Sequence, residues 1–139
     1  MKKRSKTVLT ILFLFFISIV VSFWKNQETF NQRKVEASYQ AMGYNICQDD
    51  FSCPIEHLAR CEKSYFKIYA GANWIEEMTY KENGQCVFYL IKSDDQGMIC
   101  YFNEAIMDLQ LAKRVKLYNI HKDEQIQKHC QLITKGEVN

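Results

Sequence analysis

The sequence predicts an α+β domain carried behind an N-terminal membrane helix, and three observations support this. An uncharged run from Thr7 to Trp24 follows a basic cluster, strand-like segments flank an Asn83-Gly84 turn, and six cysteines are spread over the remainder. The predicted layout is a membrane segment over 1–24, a helical stalk over 25–45 and a cysteine-rich domain over 46–139. That domain is expected to hold a three- to four-stranded antiparallel meander, stapled by disulfides and flanked by helices.

The first element combines Lys2, Lys3, Arg4 and Lys6 with the apolar run TVLTILFLFFISIVVSFW and closes on Trp24 and Lys25. Apolar all round and bounded by cations and an aromatic, it suits a bilayer better than a soluble core. The basic cluster keeps the amino terminus in the cytoplasm and sends the rest across, into the periplasm or extracellular space. A retained signal-anchor is favoured, because the run is longer than a usual signal core of about 7–15 residues and no A-x-A cleavage site is present. The alternative is cleavage near Ser22, with small residues at Val20 and Ser22, releasing a secreted inhibitor or effector.

Polar residues 25–45 carry Phe30, Ala37, Ala41 and Tyr44 near helical spacing, which predicts a stalk closing at Gly43. Pro54 is placed to open a short helix from Ile55 to Glu62. Strands are expected over Ser64–Ala70, Trp74–Lys81, Cys86–Ile91 and Met98–Phe102. A two-residue Asn-Gly turn sets the register, pairing Glu82 with Gln85, Tyr80 with Val87 and Met78 with Tyr89. The face bearing Trp74, Met78, Tyr80, Val87, Tyr89 and Ile91 is therefore expected to be the core side. Cys86, Phe88 and Leu90 on the opposite face are also apolar, so helices cover that face or a partner does. Asn103 is expected to cap a helix running to about Tyr118, with Phe102 and Met107 as its staple. A last helix is expected from Asp123 to Ile133, with Ile126, Cys130 and Ile133 on one side.

The cysteines at 47, 53, 61, 86, 100 and 130 are even in number and lie beyond the apolar run, which is the signature of disulfides in an oxidising compartment. Of the fifteen connectivities, the sequence suggests only Cys86–Cys100, across a hairpin with a loop of about five residues. A competing arrangement directs Cys53, His57 and Cys61, spaced i, i+4 and i+8, toward a metal or a thiol chemistry, with His121 or His129 as a fourth ligand.

All 16 acidic residues lie beyond residue 24 while four of the 18 basic ones precede it, so the later part carries −2. That balance argues against nucleic acid as a partner. Lys113, Arg114, Lys116, Lys122 and Lys128 are interleaved with acids and read as a solvated face. His57, His121 and His129 have no catalytic motif around them, and Asp49-Asp50 and Asp94-Asp95 fall in turns. No catalytic activity and no cofactor is therefore expected. The membrane, through residues 7–24, and an unknown protein are the expected partners, in a cell envelope of bacterial type.

Overall fold

The computed structural model describes residues 2–116 and 123–134, with side chains from residue 9 onward. An N-terminal helix precedes a six-stranded sheet with helices, so the α+β class holds but the sheet exceeds the expected three to four strands. The chain divides into Met1–Ser38 and a second unit that begins at Tyr39, within the segment read from sequence as stalk.

Helix α1 (Lys2–Ala41) is 40 residues long and contains one stretch long and apolar enough to cross a membrane. Its apolar side chains from Leu9 to Trp24 are exposed to the surroundings. At its C-terminus Gly43 takes φ +83, a conformation that favours glycine, and turns the chain toward the sheet.

The second unit continues with β1 (Asn45–Ile46), α2 (Cys53–Ala59), β2 (Ser64–Ala70), β3 (Asn73–Glu82), β4 (Gln85–Lys92) and β5 (Gln96–Asn103). A 3₁₀ turn over Glu104–Ile106 leads to α3 (Leu109–Lys116), and α4 (Glu124–Gln127) and β6 (Cys130–Thr134) follow. The strands lie in chain order β1 to β6, with β1 parallel to β2 and every later neighbour antiparallel. Asn83 and Gly84 both take positive φ, and Glu82 pairs with Gln85, Tyr80 with Val87 and Met78 with Tyr89 as expected.

Three expectations about local structure are corrected. Asn103 caps only the 3₁₀ turn, accepting from the Ala105 N–H at 2.9 Å. The α-helix behind it starts at Leu109, with the Asp108 carboxylate accepting from the Leu111 N–H at 2.7 Å; the expected end near Tyr118 lies outside the described residues. The helix expected over Asp123–Ile133 stops at Gln127, after which Cys130–Thr134 pairs with β5. An open strand edge and a bridge to Cys100 there outweigh the helical spacing of Ile126, Cys130 and Ile133.

The main packed cluster lies on the sheet face opposite to the one the sequence suggested, while Tyr65, Val87, Ile91 and Ile99 are buried on the expected face. Cys86, Phe88 and Leu90 of β4 and Met98, Cys100 and Phe102 of β5 pack with Leu58 of α2, Ala112 and Val115 of α3, and Ile126 of α4. Burying each large apolar side chain here contributes about 1.5–3 kcal/mol. The same face of β3 carries Glu77 and Thr79, only 2 % exposed each. Lys116 of α3 reaches across to Glu77, and its ammonium lies 5.0 Å from the centre of the Phe66 ring. Burial pushes the Lys116 pKa down, and Glu77 works against that. This ion pair makes a polar strand face compatible with a core.

All six cysteines are paired, as Cys47–Cys53, Cys61–Cys86 and Cys100–Cys130. The expected Cys86–Cys100 bridge does not form, because the β4–β5 register sets Cys86 opposite Phe102 and Cys100 opposite Phe88. The hairpin loop is Ser93–Asp95 rather than five residues. Asp95 takes φ +62, the left-handed position that such a three-residue loop needs. Cys86 instead pins the end of α2 to the sheet through Cys61. Chain-entropy reasoning assigns about 3.5 kcal/mol to each of the bridges spanning 25 and 30 residues and about 2.2 kcal/mol to the one spanning 6.

Candidate functional site

With α2, α3 and α4 on the core face, the other face of the sheet is lined by tyrosines. Its rows run Tyr65, Met78, Tyr89, Ile99 and Lys67, Glu76, Ile91, Gly97, with Tyr80, Val87 and Tyr101 beside them. Tyr65, Val87, Ile91 and Ile99 are buried, whereas Trp74, Met78, Tyr80, Tyr89 and Tyr101 are half-buried. Tyr39 stacks on Tyr65 with ring centres 4.2 Å apart, and Tyr44 meets Tyr39 edge-on at 5.4 Å. Burial raises the hydroxyl pKa of Tyr39, Tyr44, Tyr80 and Tyr89, and the negative charge of Glu76 adds to this at Tyr39 and Tyr89. These hydroxyls are neutral donors and acceptors at physiological pH.

At one end of this face the Lys67 ammonium lies 4.3 Å from the centre of the Trp74 ring and 3.2 Å from Glu76. At the other, Lys63 lies 5.4 Å from the centre of the Tyr44 ring and donates to the Met42 carbonyl at 3.2 Å. Half-buried aromatics bordered by charges combine rigid apolar area with hydrogen-bonding tips. Sequence spacing identified the face bearing Trp74, Met78, Tyr80, Val87, Tyr89 and Ile91 but assigned it to the core. Tyr44 carried no signal beyond helical periodicity, and nothing in the sequence singled out Tyr39.

The residues proposed from sequence for a metal are only partly brought together. Helix α2 begins at Cys53 and ends at Ala59, so Cys61 does not continue the i, i+4, i+8 line. Cys61 takes φ +55 at the turn beyond the helix and is bridged to Cys86. Among the described residues, the grouping that forms is Cys47, Cys53 and His57, with ligand atoms all within 4.8 Å of one another. His57 Nδ1 lies 2.8 Å from Glu62 Oε2, and Arg60 Nε lies 3.1 Å from the same oxygen. Arg60 first, then His57, holds the Glu62 carboxyl below the usual range. His121 lies outside the described residues. His129 sits elsewhere, its Nδ1 3.1 Å from the Tyr101 carbonyl and its ring 5.2 Å from that of Phe102.

Of the remaining candidates, Asp50 and Asp94 serve their own loops, accepting from the Ser52 and Gln96 N–H groups at 2.9 and 3.2 Å. A cleft of about 440 Å³ between α3 and α4 is lined by Ile106, Leu111, Arg114, Gln125, Lys128 and His129. The Arg114 guanidinium is already held there by Asp123 and by Gln125, at 2.7 and 3.2 Å. Burial opposes ionisation of Asp123, but Arg114 and the Ile126 and Gln125 N–H groups hold its carboxyl below the usual range. No protein-family model matches the chain, and neither a curated protein nor a solved structure shows significant similarity to it.

Proposed function

We propose that this chain is a single-pass membrane protein of a bacterial-type envelope, with its amino terminus in the cytoplasm and its disulfide-stapled domain outside. It acts by contacting another protein through the tyrosine-lined face of its sheet. The observation that carries this reading is the distribution of aromatic surface. Helices α2, α3 and α4 pack on the Cys86, Phe88 and Leu90 face, while on the other Tyr39 stacks on Tyr65 and Tyr80, Tyr89, Tyr101 and Trp74 stay half-buried. Tyrosine and tryptophan there supply anchors for a partner at low entropy cost. The paired cysteines and the apolar stretch of α1 support the address.

The test is a photo-crosslinking residue placed in turn at Tyr80, Tyr89 and, as a control on the helical side, Lys113. The proposal expects one protein crosslinked from Tyr80 and Tyr89 and not from Lys113, and bound at least about tenfold more weakly by Tyr89→Ala. Equal crosslinking from all three positions refutes it. A mature protein beginning just beyond Ser22 replaces the anchored form with the secreted one.

A further inference from the structure

The geometry points to a redox-gated metal site at Cys47, Cys53 and His57. Reduction of this one bridge yields two thiols that, deprotonated on binding and joined by the imidazole, hold a thiophilic d¹⁰ cation such as zinc(II). The inference is independent of the tyrosine face and replaces Cys61, which the sequence had suggested as a ligand, with Cys47.

The three residues arise from adjacent pieces of chain. Cys47 follows β1, Cys53 opens α2 and His57 lies one turn further along that helix. Their ligand atoms lie within 4.8 Å of one another. Thiolates bound to zinc at about 2.3 Å sit roughly 3.8 Å apart in a tetrahedron, so breaking the S–S bond and a small side-chain rotation suffice. The Cα atoms, 5.5 Å apart, need not move.

A further feature of a metal centre is already in place. Metal-bound histidines usually hold a carboxylate on the ring nitrogen that does not face the metal, which fixes the ring and raises its basicity. Glu62 Oε2 lies 2.8 Å from His57 Nδ1, leaving Nε2 as the ligating atom. Glu62 is fixed in turn by Arg60 Nε at 3.1 Å. Cys47 is buried while Cys53 and the His57 ring are partly exposed, so the site has a closed back and a solvent side for entry and a fourth ligand.

The same bridge is the one the fold needs least. It spans 6 residues, against 25 and 30 for the other two, and its Cys53 is partly exposed. The opening step is dithiol exchange. A donor thiolate attacks one sulfur to give a mixed disulfide, and the second donor thiol displaces it. The donor is oxidised to its disulfide while two electrons and two protons pass to Cys47 and Cys53. Metal binding then releases the two thiol protons.

The test uses the full chain in detergent, treated with graded dithiothreitol and then zinc(II), and reads alkylation at each cysteine by peptide mapping. The inference expects Cys47–Cys53 to open while Cys61–Cys86 and Cys100–Cys130 stay closed. One equivalent of zinc is expected to slow alkylation of Cys47 and Cys53 by at least about tenfold, and cobalt(II) to give tetrahedral ligand-field bands. His57→Ala removes the protection. Glu62→Gln, which leaves all three ligands in place, weakens zinc binding by roughly 10–100-fold. Opening of this bridge only together with the others overturns the inference. So does an alkylation rate unaffected by zinc, or protection that survives His57→Ala.

Discussion

Replacing Lys116 by alanine tests which sheet face is the core. Glu77 is 2 % exposed on β3, and the Lys116 side chain that meets it is 11 % exposed. Removing the ammonium leaves the carboxylate in a low-dielectric site without its cation, which costs about 3–5 kcal/mol in comparable buried pairs. A domain of this size loses roughly 4–8 °C of melting temperature per kcal/mol, so Lys116→Ala lowers the transition by at least about 12 °C. The double variant Glu77→Leu/Lys116→Met removes both charges and fills similar volume. It recovers most of that loss, because a buried ion pair and a well-packed apolar pair are nearly equal in free energy. The assay is calorimetric melting of the full chain and both variants at neutral pH in one detergent. A Lys116→Ala loss below about 1 kcal/mol, the size expected of an exposed pair, refutes the buried pair and the core face built on it.

Three further outcomes are expected. Losing Cys61–Cys86 through the paired serine variant costs about 3.5 kcal/mol and losing Cys47–Cys53 about 2.2 kcal/mol, so denaturant midpoints fall in that order; the reverse order contradicts the loop-length argument. Gly97→Ala places a methyl against the Leu90 carbonyl and the Ile91 and Ile133 side chains, and lowers stability by about 1–3 kcal/mol in urea unfolding. Glu62 and Asp123 have folded-state pKa values below their ordinary ones, so the native state binds fewer protons than the unfolded chain as they titrate. Their contribution is present above the usual carboxylate range, near pH 4, and is lost as pH falls through the lower folded values; melting at pH 7, 4 and 3 shows a decline on the acid side that Asp123→Asn reduces.

The parts of this fold legible in the sequence were the local ones. Asn83-Gly84 fixes a turn, the turn fixes a register, and that register holds along β3 and β4. What the sequence did not reveal depends on partners far along the chain. Glu77, Thr79 and Lys81 are polar positions on one face of β3, and Lys116, which pairs with Glu77 there, lies 39 positions later. The register of β5 turned on whether its loop held three or five residues, and that choice moved Cys86 away from Cys100 and toward Cys61. For β6, helical spacing in Ile126, Cys130 and Ile133 competed with an open edge on β5, and a window confined to that segment sees only the spacing. The metal-type grouping was half legible: Cys53 and His57 share a helix, but Cys47 and Glu62 join them only through the turns on either side.

The anchored, extracytoplasmic arrangement is the proposal, and the packed cluster on the Cys86, Phe88 and Leu90 face is the structure it rests on. The most direct test is a non-reducing peptide map of the protein taken from host membranes with free thiols blocked at lysis. The expected result is an intact N-terminal apolar segment and the linkages Cys47–Cys53, Cys61–Cys86 and Cys100–Cys130. The first of these is either oxidised or, when reduced, protected by metal. A Cys86–Cys100 linkage, or thiols blocked at all six positions, would contradict it.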